Sequence, residues 1–160
     1  MMDEFTINNE WDLWFHSIKD NKWDKPSYKK IYTIKNYLDF RILDGIFKQN
    51  HYQNGMFFVM KSGIFPNWED PDNRLGGCLS FKVKSSNVIE CWNDILFKCI
   101  SENSMKDLND KINGISISPK KEFNIIKLWF SEKDVNYKDN FIEYSDLNID
   151  NSIYKAHSIN

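Results

Sequence analysis

Gly63-Ile64-Phe65-Pro66-Asn67-Trp68-Glu69-Asp70-Pro71-Asp72-Asn73-Arg74-Leu75-Gly76-Gly77 is the stretch on which the reading of this chain turns. Pro66, Pro71, the Asn and Asp residues and the flanking glycines break both helix and strand periodicity. Before it, Met56–Lys61 is a short apolar run bounded by Gly55 and Gly63. After it, Cys78–Lys84 alternates, with Leu79, Phe81 and Val83 on one face. The stretch therefore reads as a long loop between two strands, and long loops in small chains usually carry function.

The pattern extends outward in both directions. Trp11–His16 reads as a strand and Asp20–Pro26 as a polar loop carrying Trp23. Tyr28–Ile34 reads as a second strand. Tyr37–Phe47 spaces Leu38, Ile42 and Ile46 four apart, a helical period. Ser86–Ser101 is the clearest helix: Ser86 is placed to cap it, and Val88, Trp92, Ile95, Leu96 and Cys99 form one apolar stripe. Asn93, Asp94 and Phe97 lie off that stripe. Ile112–Ser118 and Phe123–Phe130 read as a strand pair around Pro119-Lys120-Lys121-Glu122. Asp134–Leu147 is ambiguous and includes room for a short helix; Ile153–His157 reads as a last strand. Helices are too few for a doubly wound fold. An α+β fold, an antiparallel sheet with helices on one face, fits best and leaves the other face open to a ligand.

Composition narrows the function. The chain has 160 residues and a net charge of −2, which argues against a basic stripe for long nucleic acid but not against a site for one nucleotide. Cys78, Cys91 and Cys99 form no C-x-x-C pair, so neither a disulfide scaffold nor a zinc ribbon is expected. His16, His51 and His157 show no ligand spacing, and no metal or cofactor is expected. No apolar run is long enough for a membrane span, and the acidic start has no signal-peptide core. A cytoplasmic location, also compatible with the nucleus, is the expectation. Six Trp are more than one small core requires. Trp11, Trp14 and Trp92 read as core, and for Trp129, alternating with Ile125 and Lys127, core packing is a live reading.

An exposed Trp beside an acid has a specific chemistry. A carboxylate only accepts, so Glu69 suits a partner with two adjacent donors, such as the N1–H and exocyclic amine of guanine. Trp68 supplies a stacking face, and Trp23 can supply the opposite one. At these residues the chain resembles the eukaryotic translation initiation factor 4E family, the mRNA cap-binding proteins. The resemblance comprises Trp11-x-x-Trp14-Phe15, Trp23, Asp39-Phe40, Gly63-Ile64-x-Pro66-x-Trp68-Glu69-Asp70, Asn73, Gly76-Gly77, Trp92, Gly114 and Trp129, with an echo at Tyr154-x-x-His157. It implies a curved antiparallel sheet with three helices packed on the convex face and the cap site on the concave face. It implies that Trp23 and Trp68 sandwich 7-methylguanine, that Glu69 reads its edge, and that Trp129 lies against the methyl group. Methylation makes the base cationic, adding a cation–π component of about 0.5–2 kcal/mol to stacking.

The chain also departs from the family pattern. Lys120 falls at one phosphate-gripping position, with Lys121 adjacent. Glu122, Ile125 and Cys78 occupy others, so a weak and weakly salt-dependent phosphate grip is expected. Lys82 shares the face of Cys78 and is a candidate to compensate. The family docks scaffold factor 4G and 4E-binding proteins through a surface that here comprises Tyr37, Arg41, Asn93, Asp94 and Phe97. Arg41 stands where an exposed Trp is implied, which sets standard 4G binding in question. The expectation is therefore a monomeric, non-enzymatic cap-binding domain over residues 1–160, with 1–9 a flexible N-terminus. It partners capped mRNA and acts in translation initiation, or as a repressor that does not recruit 4G. A decapping enzyme would need carboxylate clusters that are absent, and an interaction module that kept the fold but lost the ligand is the remaining class.

Overall fold

The computed structural model describes residues 5–144 and 146–157. Its main elements are β1 (Thr6–Ser17), β2 (Lys29–Asn36), α1 (Tyr37–Ile46), α2 (Gln49–Asn54), β3 (Gly55–Lys61) and β4 (Gly77–Lys84). They continue with α3 (Val88–Ile100), β5 (Ile112–Pro119), β6 (Phe123–Phe130), α4 (Tyr137–Asn140) and β7 (Ile153–Ala156). Among the described residues the strands form one curved antiparallel sheet in the order β2-β1-β3-β5-β6-β4-β7. The fold is α+β, as the periodicity indicated.

Strand alternation divides the side chains between two faces. Trp11, Leu13, Val59, Leu79, Phe81, Ile115, Ile117, Ile126, Leu128 and Phe130 share one buried cluster with Leu43 of α1, Tyr52 of α2 and the α3 stripe Val88, Trp92, Ile95, Leu96 and Cys99. This is the convex, helix-covered core. On the concave face a second, smaller cluster comprises Tyr28, Phe58, Met60, Cys78 and Trp129, with Trp14, Met56, Ile64 and Phe65 packed against it.

Several expectations need correction. Thr6–Asn9 do not form a flexible N-terminus: they belong to β1, where Ile7 is buried and Thr6 faces Asn36 of β2. Asn8 and Asn9 also donate to the Glu102 carboxylate at 2.6 and 3.0 Å. Residues 1–4 lie outside the described residues. Ser86 does not cap α3; it sits inside a 3-10 turn, Ser85–Asn87, that leads into the helix without a side-chain cap. Trp14 is half-buried and belongs to the concave cluster, not the main core. The sequence showed no period for α2, a helix of only six residues, too short to display one. It is anchored by buried Tyr52, whose carbonyl accepts from the Asn124 amide at 3.0 Å.

Candidate functional site

Two loops leave opposite ends of the β1–β3 ladder, one after Ser17, which faces Gly55, and one after Lys61, which faces Trp11. They meet over the concave face, where Phe65 packs edge-on against Tyr28 at 5.0 Å and Trp14 at 5.2 Å between ring centroids. The first loop carries Trp23 and the second Trp68.

Buried His16 sets the first loop. Its Nε2 lies 2.7 Å from the Lys22 carbonyl oxygen. A carbonyl only accepts, so Nε2 carries the proton and donates. Nδ1 is then a buried acceptor, without a partner among the described residues. The His16 ring stacks on Trp23 at 4.0 Å with an interplanar angle of 3°. Trp23 is 53% exposed.

Asp70 and Asn73 shape the second loop. The Asp70 carboxylate accepts from the backbone N–H of Phe65 at 3.1 Å and of Asp72 at 2.9 Å. Asn73, fully buried, donates its amide to the carbonyls of Phe65 and Asn67 at 3.0 and 2.9 Å. Its own side-chain oxygen accepts from Asn113 at 2.9 Å. Asn113 is the extra residue of a bulge in the β5–β6 ladder, which turns its side chain toward the loop. At the loop's end, a Cβ on Gly76 would lie 1.7 Å from the Phe130 carbonyl oxygen, so no other residue fits there. These bonds leave Trp68 46% exposed. The exposed Glu69 has no carboxylate partner among the described residues, its backbone N–H alone being tied to Asn67 at 2.7 Å. Two adjacent acids are thus separated in role: Asp70 holds the loop, while Glu69 remains an open acceptor.

Trp129 lies on β6 beneath these loops. It is 7% exposed, and its indole N–H donates to the Ser116 hydroxyl at 2.9 Å. Trp129 packs with Tyr28, Phe58, Met60 and Cys78, as its core reading expected, in the cluster that lies under both loops. His157, just past β7, lies 5.4 Å from the Trp129 ring and 6.4 Å from Trp68, and its backbone N–H bonds the Gly76 carbonyl at 2.9 Å. Its Nε2 is 3.5 Å from the Cys78 sulfur. Burial pushes the Cys78 thiol up to about 12, with the Lys127 ammonium opposing slightly, so it is a neutral thiol and not a nucleophile. Burial, assisted by Lys127, holds His157 below the usual imidazole range.

No ring contact joins Trp23 to Trp68 directly among the described residues. A chain of contacts does: Trp23–Tyr28 at 6.3 Å, Tyr28–Phe58 at 5.7 Å, Phe58–Trp129 at 6.3 Å, then His157 and Trp68. The two exposed indoles therefore stand on one aromatic floor without stacking on each other. Lys120 and Lys121 are exposed in the β5–β6 turn and do not lie on a strand face. Sequence reasoning missed Tyr28, Phe58, Asn113 and Lys127. Only the alternation Ile125, Lys127, Trp129 signalled Lys127, and the continuous apolar run of β3 hid which face Phe58 takes.

The convex face brings together Tyr37, Arg41 and Phe97. With Phe5, Leu38 and Phe40 they line a groove of about 260 Å³. Phe97 lies 5.7 Å from Tyr37 and 5.4 Å from Phe40. Beside it, Asn93 donates to Asp44 at 2.6 Å and Asp94 pairs with Lys98 at 3.0 Å.

Among the described residues no group of His, Cys, Asp and Glu is arranged to hold a metal ion, and no helix is long and apolar enough to cross a membrane. Among solved structures, the chain resembles Ascaris suum eIF4E-3 in complex with the m7G cap (TM-score 0.72, 20% identity, covering 81% of this chain and 75% of that one). It also resembles C. elegans eIF4E-3 in complex with the 4E-binding protein Mextli (TM-score 0.73, 21% identity, 84% and 79% covered). Among curated relatives, translation initiation factor isoform 4E of Nicotiana tabacum is 30% identical over 132 residues, 77% of this chain and 64% of that protein's length. The family model for eukaryotic initiation factor 4E matches residues 6–158, and the chain belongs to that family.

Proposed function

We propose that this chain binds the 7-methylguanosine 5′ cap of mRNA, without catalysis, and acts in translation initiation. The observation that carries the reading is that, of six tryptophans, only Trp23 and Trp68 are exposed, on two loops that converge over one aromatic floor. A cationic methylated base between two indoles gains stacking plus cation–π attraction. Glu69, an unpaired acceptor beside Trp68, would take the N1–H and exocyclic amine of the base. Trp129 would wall the methyl side. Lys120 and Lys121 are the turn cations that the sequence offers to the phosphates. The m7G cap bound by the Ascaris suum protein supports this reading.

The test is titration of intrinsic Trp fluorescence with 7-methyl-GTP and, separately, with GTP. Strong quenching by the first and about 2- to 30-fold weaker binding of the second is expected. Equal affinity for both would remove the cation–π account, and no quenching by either would remove cap binding.

A second reading keeps cap binding but not recruitment of 4G, making the chain a translational repressor or competitor. Arg41 favours it, since a cation lines the groove, together with Tyr37 and Phe97, where a helical Tyr-x-x-x-x-Leu segment of 4G or a 4E-binding protein would dock. Pull-down with such a peptide separates the two readings.

A further inference from the structure

The phosphate chain of a capped ligand needs cations, and the open question is which. Strands β4, β5, β6 and β7 stand side by side and contain no Asp or Glu. In a chain with a net charge of −2, that makes this half of the sheet electrostatically distinct.

Register shows how its lysines are arranged. Cys78 faces Trp129 on one side and Lys155 on the other; Ser80 faces Lys127 and Ile153; Lys82 faces Ile125. Paired residues share a face, so Cys78, Ser80, Lys82, Lys127, Trp129 and Lys155 all lie on the concave side. Ser80 is the centre of this patch, with Lys127 beside it, Lys82 two residues along its own strand and Lys155 on the diagonal. None of the three lysines is ion-paired among the described residues, and no hydrogen bond ties the Ser80 hydroxyl there. Lys82 Nζ rests 4.1 Å from the Phe123 ring centroid, which steadies its head group. The charge of Lys127 reaches the site floor, acting on both Cys78 and His157.

Distance separates this patch from the turn. Lys127 is two residues from Trp129, roughly 7 Å along the strand. Lys120 lies beyond Pro119, which is five residues from the Gly114 that faces Trp129, roughly 17 Å away. A phosphate chain starting from a base held beside Trp129 meets Lys127 first.

We infer that the triphosphate is seated on the β4–β6–β7 surface around Ser80, gripped by Lys127, Lys82 and Lys155, and not principally by Lys120 and Lys121 of the β5–β6 turn. This rests on the cap-binding reading for the base, but the seat itself is a phosphate site and is testable without one. It restores the salt dependence that Cys78, Glu122 and Ile125 appeared to remove at the level of sequence.

The experiment compares 7-methyl-GTP with 7-methylguanosine, which has the base and no phosphate. K127Q is expected to weaken 7-methyl-GTP about tenfold, and K82Q/K127Q/K155Q further still. The loss of each phosphate contact should lower the slope of log affinity against log salt by about one. Binding of 7-methylguanosine should be unchanged, which also shows that the clamp is intact. Losses concentrated in K120Q/K121Q, or equal losses on both ligands, would overturn the seat. Tripolyphosphate titrated by NMR reads the seat alone: shifts at the Ser80 and Lys127 amides, lost in K127Q, are expected. If neither nucleotide binds but tripolyphosphate shifts these signals, the base reading fails and the seat stands; if tripolyphosphate leaves them unmoved, the seat fails.

Discussion

Glu69→Gln and Asp70→Asn are the same chemical change at adjacent positions, and the structure requires opposite outcomes. Glu69 is exposed and its carboxylate has no partner among the described residues, so removing its charge should leave stability within about 0.5 kcal/mol. In the complex, the carboxylate would accept two hydrogen bonds from the guanine edge. Glutamine keeps one acceptor and turns an amide donor toward the second donor. With charge-assisted bonds worth about 1.5–3 kcal/mol each, the net loss is about 2–4 kcal/mol, or about 30- to 1,000-fold in affinity. Asp70 already accepts from the N–H groups of Phe65 and Asp72. Asparagine can satisfy one of them, and the other is left facing an amide donor. The cost to the fold is about 1.5–3 kcal/mol, a fall of about 1 M in the urea midpoint. Urea unfolding and 7-methyl-GTP quenching on both variants read the two effects independently. If E69Q lowers the midpoint as much as D70N, or binds 7-methyl-GTP within threefold of the parent, the division of labour between the two acids is refuted.

Four other outcomes follow from the geometry. Asn73→Ala leaves the Phe65 and Asn67 carbonyls and the Asn113 amide without their partner, so a loss of about 3 kcal/mol or more and faster proteolysis within residues 63–77 are expected. Trp129→Phe strands the buried Ser116 hydroxyl at a cost of about 1–3 kcal/mol, measurable as a lower melting temperature even without ligand. Because His157 is held below the ordinary imidazole value, the unfolded chain binds the proton more readily. Its contribution to stability is therefore present above pH about 6.5 and lost as pH falls from there through the folded-state value, a dependence that His157→Phe should flatten in melts between pH 5 and 7.5. Arg41→Trp should raise affinity for a Tyr-x-x-x-x-Leu peptide at least tenfold by calorimetry if a cation in the groove is what opposes docking; no gain would remove Arg41 as the determinant.

What the sequence disclosed and what it hid follow one physical division. The helical stripe of α3 and the alternation of β4 and β6 are legible because one face of each is buried against an apolar neighbour, which imposes a period. Trp68-Glu69 is legible because its residue types are improbable in a loop without a partner. The supporting contacts are not local in this way. Asn113 reaches Asn73 across 40 residues through a bulge, and no spacing rule marks either side chain. His16 looks like an isolated polar residue in a strand, yet it joins the loop of Trp23 to the sheet through one carbonyl and one stacked ring. Thr6–Asn9 hold a single apolar residue, Ile7, and so show no period, while what fixes them is distant: Thr6 pairs with Asn36 of β2, and Asn8 and Asn9 donate to Glu102.

The same division separates the two faces of the sheet. The convex face excludes water by apolar burial, and burial writes itself into hydropathy. The concave face is mixed: buried Trp129, Phe58 and Cys78 stand beside the more accessible Lys127 and Ser80. Such a mixture averages to neutrality in composition, and the net charge of −2 says nothing of where the charges lie. Once register is known, the lysines of β4, β6 and β7 fall on one side and the acids fall outside those strands altogether. A near-neutral chain can thus present a local cationic surface adequate for a phosphate chain while offering no continuous stripe to the body of a long RNA. That arrangement favours reading a terminus over binding a strand at large, which is the selectivity a cap-recognising protein requires among many internal phosphates.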